Sequence, residues 1–408
     1  MKCSTAVICI GSELLSGRVV NSNLSFLGLE LEKIGLPIKY SVIVPDDESS
    51  ITDSLNDCLK RSNVIITVGG LGPTSDDITK RSIALFLGKP LNFNEEIWSS
   101  TNQRFARRGL STPECNRSQA EVPQDFVVLK NDLGTAPGLY YDHGEQLIIM
   151  LPGVPTEMKA LFTEKVKPLL VDKYHAKSLI VRTIHTIDIP ESQLADMIKD
   201  ISLPDKVNLA FLSQPGRVDL RISSADEVLI NSIFHSLCER CNPNIWGYDE
   251  ESLPGIIHNL MISGDLKLSI AESCTGGLIQ AKLTDIPGAS AFFSGGVVTY
   301  SDQAKMDLLG VSKVCLEEYG AVSTETAEEM AEGVRKKFKS DIGAAVTGIA
   351  GPTGGTEEKP VGMVCFAVSH KKMIKSWKRI FPGNRESIRE NATFFLLNLI
   401  RQTLITKI

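Results

Sequence analysis

Over roughly the first 90 positions, short apolar runs alternate with segments of helical period. Thr5 to Ile10 is an unbroken run that reads as a buried strand. Leu24, Leu27, Leu31 and Ile34 then recur at helical spacing behind Asn23, a residue suited to cap the helix. Ile38 to Val44 reads as a second strand, Ser50 to Leu59 as a helix and Val64 to Val68 as a third strand. The glycines after it open a helix from about Asp77 to Leu87, and Pro152 and Pro155 mark a turn before a helix toward Leu170. Strands that alternate with helices pair in parallel through right-handed crossovers, which predicts an α/β fold with a doubly wound sheet. Such sheets hold ligands beyond the carboxyl ends of their strands, here the loops after Ile10 and Val68.

The rhythm changes from about Lys177 to Tyr248. It predicts a strand (Leu179 to Ile187), a helix (Glu191 to Ile201), two strands around Pro215-Gly216 and a helix (Val228 to Cys241). This is a small α+β module without a catalytic constellation. Asn242 to Trp246 and Pro254 bracket the entry to a third region, a helix to about Ile262 and the strand Leu268 to Ala271. A helix, a strand through Gly296 to Tyr300 and the helix Ala327 to Phe338 follow. The strand Ile342 to Val346 leads into a glycine-rich loop, two further strands (Val361 to Val368, Met373 to Ile380) and a terminal helix. The third region is therefore also α/β, with a mixed sheet, and the chain divides at 1–172, 173–250 and 251–408.

Composition narrows the class. A chain of 408 residues exceeds one ordinary core, so two or three domains are expected. The net charge of −6 argues against a general affinity for nucleic acid or an acidic membrane, and no apolar run approaches the ~20 residues of a membrane helix. The first apolar run is too short for a signal-peptide core, so a cytoplasmic location is expected. Nine cysteines, at 3, 9, 58, 115, 238, 241, 274, 315 and 365, lack framework spacing and suit reduced thiols. Cys238 and Cys241 form a lone CxxC with no second pair, which favours structural cysteines over zinc. The six histidines show no ligand spacing, so catalysis is not expected to rest on histidine.

Two constellations carry chemistry. In Ala271-Glu-Ser-Cys-Thr-Gly-Gly277 a buried strand turns into a helix, where the N–H groups of Thr275, Gly276 and Gly277 are placed to stabilise an anion or oxyanion. Ser273 is the candidate nucleophile and Lys305, with a lowered pKa, its candidate base. Tyr300, in Thr299-Tyr-Ser-Asp302, is placed to relay or orient the proton. The same spacing equally suits a serine helix cap and a solvated lysine. The loop Thr347-Gly348-Ile-Ala-Gly351-Pro352, continuing through Gly354-Gly355-Thr356 to Lys359-Pro-Val-Gly362, favours the first reading, since such loops are seldom purely structural. It suits a phosphate and a ribose, and Arg385 adds a guanidinium for the phosphate. Together they suggest hydrolysis of a phosphate-bearing substrate.

The second constellation is Gly69-Gly70-Leu-Gly72-Pro-Thr74-Ser-Asp76-Asp77, between a strand and a helix. Glycines admit a phosphate close to the backbone, and a divalent metal ion bridging Asp76 and Asp77 to it reconciles the like charges. Helix capping is the other reading of the same residues.

These motifs carry a resemblance. AESCTGG, TYSxxxK, TGIAGPTGG with KPVG, and FPGxR, spanning roughly 252–408, resemble the C-terminal domain of the CinA family (competence/damage-inducible proteins). The resemblance implies a nicotinamide mononucleotide deamidase without a cofactor, in which Ser273 attacks the carboxamide, Tyr300 and Lys305 assist, and ammonia and nicotinic acid mononucleotide are released. Asp302 stands where the family usually has Asn, and Asn384 where it has Asp; Asp302 is expected to raise the pKa of Lys305. Gly11-Ser-Glu-Leu-Leu15, Val20-Asn-Ser-Asn23, the GGLGPTSDD loop, Gly134-Thr-Ala-Pro-Gly138 and Leu151-Pro-Gly-Val-Pro-x-Glu157 resemble the MoaB/MogA-like molybdopterin-binding domain of the same family. Ser12 replaces the commoner Thr there and keeps the hydroxyl.

That likeness implies metal-dependent hydrolysis of the ADP-ribose pyrophosphate. Asp77 and Asp76 would lie near the metal, Gly69, Gly70, Gly72, Thr74 and Asn23 around the ligand, with Glu13 and Glu157 as further candidates. The middle module is similar to the KH-type linker domain; without a GxxG clamp it is not expected to bind RNA. The expected partners are thus small nucleotides and a second copy in a homodimer. The competing class is a non-catalytic nucleotide- or pterin-binding regulatory protein that kept the loops and lost the chemistry.

Overall fold

The computed structural model describes residues 4–175, 178–214, 216–371 and 373–406; Cys3, Lys177 and Pro215 lie outside them. The chain folds as two compact units, Met1–Ile180 and Val181–Ile408.

In the first unit β1 (Thr5–Ile10) leads to the short α1 (Ser12–Leu15) and to α2 (Ser22–Lys33). β2 (Ile38–Val44), α3 (Glu48–Arg61), β3 (Val64–Val68) and α4 (Thr79–Phe86) complete the predicted alternation. There follow β4 (Leu91–Phe93), α5 (Glu95–Ala106), β5 (Glu121–Pro123), β6 (Val127–Leu129), β7 (Gly138–His143), β8 (Gln146–Leu151), α6 (Pro155–Leu161) and α7 (Lys167–Tyr174). The main sheet has the order β2-β1-β3-β8-β7-β6. Its first four strands are parallel, and β7 and β6 add an antiparallel margin.

Both faces of this sheet are covered. Val7 and Cys9 of β1 join one core cluster with Leu27 and Leu31 of α2, while Ala6, Ile8 and Ile10 join the other with Ile51 and Leu55 of α3. A strand buried on both faces is what an unbroken apolar run encodes. Two predicted starts shift. Asn21, not Asn23, caps α2, accepting from Leu24 N at 3.0 Å. The helix expected from Asp77 starts at Thr79, so Asp76 and Asp77 stay in the preceding turn.

The second unit begins with β9 (Ile180–Ile187), α8 (Glu191–Ile198), β10 (Asn208–Gln214), β11 (Arg217–Ser224), α9 (Glu227–Cys241) and β12 (Ile245–Tyr248). α8 ends three residues short of the predicted Ile201. The strands form a sheet of order β10-β11-β9-β12. Cys238 and Cys241 are free thiols, and burial pushes Cys241 up to about 11.

The rest of the unit runs through α10 (Leu253–Ser263), β13 (Leu268–Glu272), α11 (Leu278–Thr284), β14 (Phe293–Val298), α12 (Asp302–Leu309), α13 (Lys313–Tyr319) and α14 (Thr324–Phe338). β15 (Ile342–Gly348), β16 (Met363–His370), β17 (Met373–Ile380) and α15 (Arg385–Ile405) close it. The sheet order is β14-β13-β15-β16-β17, with β13 parallel to both neighbours and β16 and β17 antiparallel, the mixed sheet expected. Ile187 and Trp246 from the preceding four strands share a core with Ile257, Ile270, Val346 and Leu396. Among the described residues no helix is long and apolar enough to cross a membrane.

Candidate active site

β13 is one residue longer than its apolar run: it ends on Glu272, which is fully buried. The chain then leaves the sheet, with Ser273 N still donating to Val346 O at 3.0 Å. Gly276 and Gly277 have φ of 63° and 96°, which makes glycine the residue for this turn. Their N–H groups are not open to a ligand, contrary to the expectation. Gly276 N donates to Ser273 O at 3.2 Å. The Glu272 carboxylate accepts from Gly277 N and Gln280 N at 2.9 Å and from Ile279 N at 3.3 Å. A carboxylate here meets the exposed donors and the positive end of the helix from inside the protein. Arg389 holds the other side of the turn, its Nη2 donating to Thr275 O at 2.7 Å. Thr275 is buried, and its hydroxyl has no hydrogen-bond partner among the described residues.

Lys305 lies in the first turn of α12, behind the Ser301 cap, and is 1% exposed. Its Nζ is 3.4 Å from Ser273 Oγ and donates to Thr299 O at 3.0 Å. The solvated-lysine reading is thereby excluded. Burial lowers the pKa of this amine below its ordinary 10.5; Asp302 and then Cys274 push the other way and are outweighed. The carboxylate at 302 thus opposes the tuning without reversing it. Cys274, between nucleophile and turn, is buried and pushed up to about 12 by desolvation.

The remaining C-terminal residues are placed less uniformly. Tyr300 is 63% exposed and accepts from Arg385 Nη2 at 3.0 Å, with no bond to Lys305. Arg385 Nη1 donates to Gly351 O at 2.7 Å, so one guanidinium ties Tyr300 to the glycine-rich loop. Thr347 is turned inward: its hydroxyl donates to Ala321 O at 2.6 Å. Gly348 belongs to β15, where a Cβ would lie 2.8 Å from Val364. Asn384 caps α15, accepting from Ser387 N at 2.9 Å, a task that Asn and Asp perform equally.

In the first unit the loop after β3 packs tightly. A Cβ on Gly69 would stand 2.3 Å from Ile10 O, and one on Gly70, with φ of 65°, would stand 2.1 Å from Thr79 Oγ1. A Cβ on Gly72 would meet the Asp77 carboxylate at 2.4 Å. Asp77 Oδ2 accepts from Thr74 N at 2.9 Å and from the Thr74 hydroxyl. Hydrogen bonds from Thr74 and from its own N–H hold Asp76 below the usual carboxylate range.

A cavity of about 380 Å³ opens here, and Glu13, Asp46, Asp76, Asp77 and Glu157 line it together with Gly69, Gly70 and Gly72. Asp46, absent from the sequence reading, stands just beyond β2 and accepts from Ser12 N and Oγ at 2.9 and 3.0 Å. The hydroxyl that Ser12 preserves is used there. Glu157 accepts from Asn131 Nδ2 at 2.7 Å. Asn23 buttresses the wall through Gly153 O at 2.7 Å, from inside α2.

No three Asp, Glu, His or Cys residues gather as a metal-binding group among the described residues. Hard oxygen donors at Asp76 and Asp77 nonetheless suit a divalent cation of the kind usually held by one or two carboxylates plus substrate phosphates.

The architecture is that of a multidomain α/β protein, with a buried serine–lysine pair in one unit and a glycine–carboxylate cavity in the other. The chain belongs to the CinA family. Residues 250–404 match the CinA C-terminal domain, 181–247 the Damage-inducible protein CinA KH domain, and 6–172 the family described as Probable molybdopterin binding domain. The first unit is accordingly MoaB/MogA-like and the middle module KH-like. Relatives bearing the name competence-damage inducible protein include those of Caldicellulosiruptor saccharolyticus and Caldicellulosiruptor bescii. They are 39% and 40% identical to this chain over 406 residues, covering 98% of both sequences in each case. A crystal structure of a competence-damaged protein (CinA) superfamily protein from Klebsiella pneumoniae is 34% identical. It covers 38% of this chain and 96% of its own, with a TM-score of 0.37.

Proposed function

We propose that the C-terminal domain is an amidase that converts nicotinamide mononucleotide to nicotinic acid mononucleotide and ammonia. The observation that carries this reading is the buried Lys305 amine, its pKa lowered, 3.4 Å from the hydroxyl of Ser273. Desolvation favours the neutral form of the amine, and it is the neutral amine that takes a proton. Ser273 Oγ attacks the carboxamide carbon while Nζ accepts its proton. The tetrahedral oxyanion faces the N–H groups of Cys274 and Thr275, which precede those held by Glu272. The C–N bond breaks, the departing nitrogen takes the proton from Nζ, and ammonia leaves. Water then attacks the ester, Nζ again taking a proton, and the acid is released with Ser273 restored. Arg385 binds the phosphate of the substrate, and Tyr300, fixed by Arg385, closes that side of the site. Ammonia release that vanishes in Ser273→Ala supports the reading; no release from the intact protein refutes it.

For the first unit we propose a metal-dependent ADP-ribose pyrophosphatase, favoured by the carboxylates around the glycine loop. Asp76 and Asp77 would hold the divalent cation, which when bound would offset the pyrophosphate charge and polarise it toward attack by water. The glycines let the phosphates approach the main chain. ADP-ribose turnover that is lost with chelator and restored by metal tests this, and pterin binding without turnover refutes it. A cytoplasmic homodimer completes the proposal, checked by fractionation and light scattering.

A further inference from the structure

We propose that Glu272 is the positioning residue of the serine–lysine site; the proposal rests on the amidase reading. Its carboxylate is fully buried, and the partners it has among the described residues are main-chain N–H groups rather than a cation. Burying an unpaired carboxylate is costly, and capping a helix does not require it. Four other helices of the same unit, α10, α12, α13 and α14, are capped by Ser252, Ser301, Ser312 and Ser323. What distinguishes Glu272 is that it holds both halves of the site. Its side chain grips the turn after the nucleophile through Gly277, Ile279 and Gln280. Its main-chain oxygen accepts from Thr299 N at 2.8 Å, and Thr299 O in turn receives the Lys305 ammonium or amine at 3.0 Å. One residue therefore sets the separation of Ser273 Oγ and Lys305 Nζ. A shift of about 1 Å between reacting groups costs on the order of 100-fold in rate.

The test is Glu272→Gln in the full-length protein, with ammonia release from nicotinamide mononucleotide as the readout. The amide fills the same volume, and its oxygen can still accept from Gly277 N and Ile279 N, but its NH₂ then stands against the Gln280 N–H. The expected result is a kcat lower by about 100-fold with KM changed less than about threefold, since Arg385 and its loop are untouched. The acidic limb of the pH–rate profile also moves to higher pH, because the loosened turn beside Ser273 lets water reach the Lys305 amine, whose main-chain link through Thr299 the variant keeps. A folded variant whose kcat stays within about threefold of the parent overturns the proposal, as does a loss of kcat with an unmoved limb. If the variant does not melt cooperatively, hydrogen exchange on the unaltered protein decides. Gly277, Ile279 and Gln280 amides protected like those of β13 support the proposal, and exchange at exposed-loop rates overturns it. An unaltered protein that releases no ammonia defeats the amidase reading and this proposal with it. Release with an unimpaired variant defeats this proposal alone.

Discussion

Lys305 follows β14 and Asp77 follows β3, each just beyond the carboxyl end of a parallel strand, yet their surroundings treat charge in opposite ways. Lys305 is nearly inaccessible, and desolvation sets its proton affinity against the pull of Asp302 and Cys274. Asp76 is exposed, and hydrogen bonds from Thr74 and the main chain keep it ionised. A dry amine supplies a base from within the protein. A wet carboxylate cluster acts on a phosphate only with a cation to reconcile the like charges. The two sites should therefore fail under different insults.

The sharpest test of that contrast is Ser273→Ala. It should reduce ammonia release by about 10³-fold or more while ADP-ribose turnover is unchanged, measured on one preparation. Asp77→Ala, or chelation of divalent metal, should lower ADP-ribose turnover by about 100-fold and leave ammonia release intact; loss of both activities together would break the comparison.

Gly70→Ala forces a Cβ against Thr79 at a positive φ and should destabilise the first unit by about 1–3 kcal/mol, read as a lower melting temperature. The pH dependence of the amidase is subtler. Only neutral Lys305 accepts a proton, so kcat/KM should rise with pH through its lowered pKa and then level off below 10.5. The sign for stability is the same. Between that lowered pKa and 10.5 the unfolded chain binds a proton that the buried amine refuses, so stability from this group rises with pH across the window. Asp302→Asn removes the larger of the opposing charges and should move the rate limb slightly to lower pH, raising the rate at neutral pH a few-fold.

Much of this was legible in the chain. Thr5–Ile10 and Val64–Val68 form strands as read, because short, fully buried apolar runs have few other solutions, and Ile38–Val44 forms one as a half-buried edge strand in which polar and apolar positions mix. The antiparallel pair β7 and β8 escaped notice, since Gln146–Leu151 lies outside the strand–helix rhythm of the opening residues. Asn21 and Asn23 are equally good caps by type, and tertiary contact decides: Asn23 is needed at Gly153 O. The serine–lysine pair could be read from motif order, but Glu272 could not be assigned its part. A charged residue at the end of an apolar strand reads as the point where burial stops, and here burial continues one residue further. Its one signal was a Glu four residues before two glycines, a carboxylate within reach of a turn. Asp46 was missed for a similar reason, because a single acid after β2 looks like any strand terminus. The inward hydroxyl of Thr347 shows the converse, a loop residue whose type suits a ligand and whose neighbour, Ala321 O, claims it first.

Cys274 adjoins the nucleophile but is itself buried, and desolvation pushes its thiol up to about 12. Peroxide and alkylating agents react with thiolates, and almost none exists here at cellular pH. The serine centre should therefore keep working through an oxidative burst that modifies the exposed Cys115 elsewhere on the chain.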